Sequence, residues 1–487
     1  MARVLGITAA ALGFMLISGC QSSNDYEQQR RDRALQHFNE ISKRGANQAS
    51  VYTLSACIGD AMKNNLDLKV EELQLAVEQE NKTAAMLGML PQLQMNYELK
   101  TRTNEPGATS IDLKTGETSL QYSRSSEKTE HTYDMELAYS TLDFGMAYFN
   151  SVQAQDRILL AKNQKERVAQ DLRMDVAAAY FDVVASQDAI NTTRSLLERS
   201  KGIDTIFQNL KEAKNIDQLR LLDERKRYIE LERRMMEFER RHEDACVRLR
   251  ALMGYLPLEE LTVDTTLLSQ MNFNQLPDVE TLELAALRKR PELSGMDIQQ
   301  HINILEARKA ILNMIPTVKA FTDWQYSSNP LLYNQSWWEI GMRASYDLLK
   351  LPSKVMEYRA IGAKSDELEL RTKALTIAVM AQVRLAHSDW MEAQQMFQYD
   401  DKVYNVYRQS LEMARKTFDA GSALSRVEMN RMELEAAEKY IARTQSLSNC
   451  YLAYYRLINT VGAALTAKEY QEIKKSFGVT SPQTASR

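Results

Sequence analysis

The sequence predicts a mainly α-helical, internally duplicated fold with a membrane β-barrel portion, on three observations. First, the hydrophobic period changes from about 3.6 to about 2 at Pro91, and it changes in the same way at Pro316. Second, only nine prolines and seventeen glycines occur in 487 residues, which leaves room for long uninterrupted helices. Third, four segments alternate apolar and polar residues over about nine to eleven positions, the length of a strand that crosses a bilayer.

The composition is typical of a folded protein that contacts water, with 44% hydrophobic and 26% charged residues. The formal net charge is -4, and charges of both signs are interspersed along the chain. No segment has the strong positive charge that binds a polyanion, so the sequence argues against a nucleic-acid partner.

The first twenty residues have the pattern of an export signal. Arg3 precedes an apolar run over 4–17 that is too short to span a bilayer, and Ile-Ser-Gly-Cys ends at Cys20. This segment resembles a bacterial lipoprotein signal, which implies that 1–19 is removed and that Cys20 is lipidated. The glutamine that follows favours delivery to the outer membrane. An ordinary secretory signal is the alternative, and 20–50 is predicted to be a polar tether.

The first repeat is predicted over 51–270. A helix from about 54 ends before Pro91, because proline cannot continue a helix. A strand near 92–100 follows, in which Leu93, Met95, Tyr97 and Leu99 alternate with polar residues. After a polar loop, a second strand near 133–144 places Tyr139 on its apolar face and closes with Leu-Asp-Phe-Gly.

Two long helices are predicted next, over 147–211 and 218–253. In the first, apolar residues fall seven apart, which is typical of packed helices, at Val176, Val183, Ile190 and Leu197. The segment 254–277 is predicted to be a joint halfway along the helical part.

The second repeat, over 278–465, follows the same plan. At an offset of 225 positions, Ala85 falls on Ala310 and Pro91 falls on Pro316 without a gap. Strands are predicted near 317–326 and 337–348, helices over 353–418 and 425–461, and a C-terminal tail over 466–487.

The residue types that commonly form catalytic and metal sites are scattered along the sequence. His37, His131, His242, His301 and His387 form no metal motif, and the helix at His242 lacks the second histidine of a zinc protease. We therefore expect no enzymatic activity, no metal and no cofactor. Apart from Cys20, the cysteines allow either one disulfide or free buried thiols at Cys57, Cys246 and Cys450.

Four strands are too few to close a barrel, and unpaired strand edges are not tolerated in lipid. Strands from several copies must therefore pair, and three copies give about twelve strands, an even number that leaves a lumen. The polar faces would line this lumen. The aromatic residues expected to face lipid are Tyr97, Tyr139, Trp324, Trp338 and Tyr346.

The chain resembles the TolC family of outer-membrane efflux ducts over about 54–462. The resemblance rests on the passages Ala85–Pro91 and Ala310–Pro316, on Leu142–Gly145, and on Phe-Asp-Ala-Gly-Ser-Ala-Leu-Ser-Arg-Val-Glu-Met, which begins at Phe418. It implies a homotrimer whose outer-membrane β-barrel continues as a periplasmic α-barrel of long coiled-coil-like helices. It also implies two partners, a periplasmic adaptor and an inner-membrane pump.

The resemblance further implies that the periplasmic aperture is lined by Asp419, Arg426 and Glu428. Arg431 departs from the family, which often has a second acid there.

The sequence thus predicts an outer-membrane channel subunit of a tripartite efflux or type I secretion system, which conducts substrate passively. A non-conducting, lipid-anchored coiled-coil spacer of the envelope is the alternative. The pump and the adaptor are left open. The cargo is equally open, and includes drugs, proteins and polysaccharides.

Overall fold

The structure is a computed structural model of the chain. It describes residues 23–43, 51–109, 111–112, 114–118, 121, 123–124, 126–200, 218–256, 261–266, 273, 276–419, 426–462 and 466–476. The predicted signal peptide and Cys20 lie outside these residues, as do 201–217 and 420–425, which connect the long helices of each repeat.

The first half of the chain contains helices and strands in the predicted order. They are α1 (Ser23–Ser42), α2 (Leu54–Asn64), α3 (Leu66–Leu87), β1 (Gln92–Thr101), β2 (Gly107–Ala108), β3 (Ser123–Arg124), β4 (Thr129–Ser140), α4 (Thr141–Ser200) and α5 (Gln218–Leu252).

The second half repeats this order without the small β2–β3 hairpin. It consists of α6 (Val279–Lys289), α7 (Pro291–Asn313), β5 (Thr317–Ser327), β6 (Ser336–Ser345), α8 (Leu351–Asp419), α9 (Arg426–Val461) and α10 (Ala467–Ser476).

The described residues form two compact units, and each unit draws on both halves of the chain. Unit 1 comprises Met1–Lys69, Ala169–Leu282 and Val383–Arg487, and unit 2 comprises Val70–Val168 and Glu283–Gln382. The sheet belongs to unit 2.

The four long strands form one antiparallel sheet in the order β1-β4-β5-β6. Sequence neighbours form the outer pairs, and the central pair, β4 with β5, joins the two repeats. Because side chains alternate between the faces of a strand, this register puts the Asp, Glu, Lys and Arg positions of the four strands on one face and most apolar positions on the other. The two-faced strands predicted from the sequence therefore combine into a two-faced sheet.

The helix predicted to run up to Pro91 is two helices, because Asn65 has extended backbone angles, with φ -57° and ψ 131°. Its Oδ1 accepts a hydrogen bond from the backbone N–H of Leu68 at 3.1 Å, and its Nδ2 donates to the carbonyl of Leu252 at 3.0 Å. The side chain thus caps α3 and fixes the break. The equivalent break in the second repeat is at Arg290, 225 positions later, where Pro291 begins α7.

Three other boundaries differ from the prediction. Part of the expected tether is helical, as α1. β4 ends at Ser140, so Leu142–Gly145 lies in the first turns of α4, where Ser140 Oγ accepts from the backbone N–H of Asp143 at 3.2 Å. β6 ends at Ser345, three residues before the predicted end of its strand.

The core of unit 1 is built on the heptad positions of α4. Val176 and Val183 are fully buried, as the spacing of seven predicts. Beside them the Phe181 ring stacks on Tyr451 of α9, with ring centroids 4.8 Å apart. The Tyr180 hydroxyl donates to the carbonyl of Asp264 at 2.7 Å, which attaches part of the joint to α4.

Candidate channel-lining site

The polar face of the sheet is the first candidate site, and its charged residues follow from the strand register. We call a set of residues directly opposite one another a rung. One rung contains Gln94, Glu136, Asp323 and Glu339, so three of its four side chains are carboxylates. The next rung adds Asp134, opposite Gln325. Like charges directly opposite each other destabilise a sheet, so this arrangement needs compensating groups.

Side-chain hydrogen bonds offset the repulsion between these carboxylates, but only one of the three is paired with a cation. Lys319 pairs with Glu136. The Gln325 amide donates to Asp323 at 2.6 Å and to Glu339 at 3.2 Å. Two of the three carboxylates on the rung are thus held by a neutral amide instead of a cation.

The opposite face of the sheet carries the aromatic side chains expected to meet lipid. Tyr97, Tyr133 and Tyr326 form a row across β1, β4 and β5, with ring centroids 4.9 and 6.0 Å apart. Trp324 faces Trp338 on the neighbouring rung, and Trp338 is 64% exposed. Tyr133 was not predicted to face lipid, although it lies at every second position of β4 together with Met135 and Leu137.

The other two predicted aromatic residues lie at strand ends. Tyr139 is one residue from the end of β4, half exposed, and its ring lies 5.7 Å from that of Phe144. Tyr346 follows the last residue of β6. Pro91 and Pro316 each stand directly before a strand, at the helix-to-strand changes that they predict.

Among the described residues the sheet has two open edges, because β1 and β6 each pair there with a single neighbouring strand. Exposed apolar residues accompany the edge strands, with Met95 77% and Ile340 85% exposed. An edge strand that is also apolar on one face requires a further partner.

The predicted aperture residues lie at the ends of two helices. Asp419 is the last residue of α8, Arg426 is the first of α9, and Glu428 is an exposed residue in the first turn of α9. Arg415 pairs with Glu433 at 2.7 Å and so links the two helices near their ends. The structure therefore brings the three predicted residues to the same end of α8 and α9, while 420–425 between them lies outside the described residues.

A polar network connects α4, α8 and α9 within unit 1. Asp188 accepts hydrogen bonds from the Tyr440 hydroxyl at 3.3 Å and from the Thr444 hydroxyl at 3.2 Å. Arg443 pairs with Asp401 at 2.5 Å. Burial raises the pKa of the Asp188 carboxyl, and the two hydroxyl donors and Arg443 oppose that rise. The sequence contained no local signal for this network, because its members are far apart along the chain.

The cysteine alternatives are decided by the structure, in which Cys57, Cys246 and Cys450 are free thiols. Burial raises the pKa of Cys57 to about 12 and those of Cys246 and Cys450 to about 11.

None of the helices in the described ranges is both long and apolar enough to cross a membrane. Within the same ranges, no group of three or more His, Cys, Asp or Glu side chains is placed to hold a metal ion.

The sequence matches the profile of the family described as outer membrane efflux protein over residues 57–255. This match covers less than half of the chain. Together with the channel structures described next, it supports an efflux channel subunit of a tripartite system. Among curated proteins, no sequence is significantly similar to the chain.

The fold of this chain is similar to those of solved outer-membrane channels. The Campylobacter jejuni channel CmeC is 16% identical, with a TM-score of 0.65 over 87% of this chain and 89% of CmeC. The open state of the Neisseria gonorrhoeae channel MtrE is 14% identical, with a TM-score of 0.67 over 84% of this chain and 89% of MtrE. The Vibrio cholerae protein VceC is 13% identical, with a TM-score of 0.64 over 85% of this chain and 97% of VceC.

Proposed function

We propose that three copies of this chain close their sheets into one barrel of about twelve strands in the outer membrane of a Gram-negative bacterium. The barrel and the long helices form a passive duct. A periplasmic adaptor and an inner-membrane pump deliver substrate to it, and the duct carries out no chemical step. The observation that carries the proposal is the two-faced sheet with two open edges, because only pairing between copies satisfies both edges in lipid.

Exposed apolar residues on the long helices support the same assembly. On α8, Tyr399, Val406 and Met413 are seven apart and 61–70% exposed. On α5, apolar side chains with 59–67% exposure are also seven apart, at Leu222, Ile229 and Met236. A heptad seam exposed on a single chain is typical of helices that pack against another helix in an assembly.

The lipid anchor at Cys20 is part of the proposal. It would hold the N-terminus at the outer membrane beside the barrel. Removal of Cys20 distinguishes the proposed channel from the alternative, a coiled-coil spacer. A barrel without its anchor still requires detergent, whereas a coiled-coil spacer becomes soluble without detergent.

The proposed function is tested by accumulation of a fluorescent efflux dye in cells that lack the protein and in the same cells complemented in trans. We expect raised accumulation that complementation reverses. Unchanged accumulation would contradict small-molecule efflux and move the proposal to export of proteins or polymers.

The aperture is proposed to be lined by Asp419, Glu428 and Arg426 at the ends of α8 and α9. We expect the combined variant Asp419→Ala, Glu428→Ala to have a higher single-channel conductance and a greater antibiotic leak, because it removes polar side chains that narrow the opening. The matched control is Glu232→Ala with Glu243→Ala, which removes two exposed carboxylates of α5. Wild-type conductance and leak in the aperture variant would rule out this assignment.

A further inference from the structure

Three carboxylates on two adjacent rungs of the polar face have amide side chains as partners. Asp134 accepts from the Asn96 amide at 2.7 Å, while Asp323 and Glu339 share the Gln325 amide. Within the described part of the chain, none of the three carboxylates forms an ion pair. Amide donors fix the positions of these oxygens and leave their negative charge in place.

Most other charges on the same face are paired or rest on a ring. Glu136 pairs with Lys319, and Glu98 pairs with Lys100 at 2.7 Å. The Arg343 guanidinium lies 5.5 Å from the centre of the Phe321 ring. Glu130, farther along β4, accepts from the Ser327 hydroxyl at 2.6 Å and lies opposite Lys100. Most of the unneutralised charge is therefore concentrated on two adjacent rungs, next to the Glu136–Lys319 pair.

The burial of Asp323 is a separate observation that concerns the same group of carboxylates. Asp323 is only 7% exposed. Its Oδ2 holds the Gln325 amide, and its Oδ1 is buried without a hydrogen-bond partner among the residues that the structure describes. An unsatisfied buried carboxylate oxygen costs free energy, so this position carries a cost that a neutral residue would avoid.

We propose that Asp134, Asp323 and Glu339 form a cation-selecting ring in the lumen of the barrel, so that the duct favours cationic over anionic solutes. The inference rests on the proposed function, because several copies must close the barrel before three carboxylates per chain become a ring. Rings of acidic side chains select cations by their field and do not require a bound ion.

The experiment is the reversal potential of the purified full-length protein in planar bilayers under a potassium chloride gradient. We expect the wild type to prefer potassium over chloride. In Asp134→Asn, Asp323→Asn, Glu339→Gln the permeability ratio should fall towards one. The opposite change, Gln94→Glu, adds a carboxylate to the same rung and should raise the ratio.

Two comparisons separate the ring from other sources of selectivity. All measurements are repeated with Asp419→Ala and Glu428→Ala in the background, which removes the contribution of the aperture acids. Glu232→Gln, Glu243→Gln, Asp244→Asn removes three exposed carboxylates of α5 and should leave the ratio unchanged. A stable channel with wild-type selectivity in the ring variant would overturn the inference.

The remaining outcomes of the experiment also test the inference. If the wild type forms no channel, the proposed function fails and the ring fails with it. If the ring variant does not form a channel, Gln94→Glu still tests the inference, since it adds charge without removing a hydrogen-bonded carboxylate. An unchanged ratio in Gln94→Glu would then overturn the ring while the channel stands.

Discussion

Gly254 follows α5 with a φ of +74°, in the left-handed region that side chains with a Cβ rarely adopt. A Cβ at this position would lie 2.7 Å from the carbonyl oxygen of Asn64. The residue before it, Met253, is fully buried, so the chain has little room to shift. At the scale of one residue, the end of α5 therefore depends on the absence of a side chain.

We expect Gly254→Ala to lower the free energy of unfolding by about 1–3 kcal/mol, from backbone strain and the close contact with Asn64. The control is Gly59→Ala, a helical position with no heavy atom within 4 Å of the added Cβ. That change should be neutral or stabilising by about 0.5–1 kcal/mol, because alanine favours helices. Thermal unfolding followed by circular dichroism compares the two variants. Equal melting temperatures would contradict the strain argument.

Asp188 should make the stability of unit 1 dependent on pH. Burial raises the pKa of its carboxyl above the ordinary value of 3.8, so the folded state binds this proton more tightly than the unfolded state. Stability should therefore decrease as the pH rises from about the ordinary value through the raised pKa of the folded state. Above that range the full cost of the buried charge is present.

The test is urea unfolding across this pH range for the wild type and for Asp188→Asn. The amide oxygen of asparagine can still accept from Tyr440 and Thr444, so the variant should lose this component of the pH dependence and be more stable at neutral pH. A variant with the wild-type pH profile would show that Asp188 does not titrate as its burial indicates.

At the scale of helices and strands, the sequence was most informative where the signal was local. The change of period at Pro91 and Pro316 predicted both helix-to-strand boundaries, because proline acts on its immediate neighbours. The break at Arg290 also had a local signal, Pro291, and the offset of 225 would have transferred it to Asn65. The side chain of Asn65 caps a helix whose pattern otherwise continues without interruption, so the hydrophobic period alone did not reveal the break.

The sequence could not predict which residues lie opposite each other on neighbouring strands. Asp134 and Gln325 are directly opposite each other but 191 positions apart, and their pairing depends on the register of β4 with β5. A shift of one residue would send every side chain of a strand to the other face. The sequence therefore predicted which face is polar, and only the register brought three carboxylates onto one rung.

At the scale of the whole molecule, a single chain leaves much apolar surface on its helices uncovered. The seams on α5 and α8 each have the spacing of seven that brings helices together in a supercoil. The duplication explains why both halves contain a pair of two-faced strands, but it does not determine how many copies assemble. The number of copies is inferred from the number of strands needed to close a barrel.

We expect Ile229→Lys with Met236→Lys to weaken the proposed trimer, because lysine at two seam positions of α5 would place charge where we propose that a helix of another copy packs. The matched control is Glu237→Lys, an exposed position of the same helix about 100° around its axis from Met236. Light scattering after size-exclusion chromatography in detergent measures the assembled mass. A trimer of undiminished mass in the seam variant would contradict the packing proposed for α5.

The three free thiols have a practical consequence for probing the duct. Because burial raises the pKa values of Cys57, Cys246 and Cys450 to about 11–12, the thiols stay protonated at physiological pH, and reagents that attack the thiolate react with them slowly. A cysteine introduced at an exposed position such as Gln94 would react much faster. The path through the barrel can therefore be mapped by labelling single introduced cysteines one at a time, with the native thiols left in place.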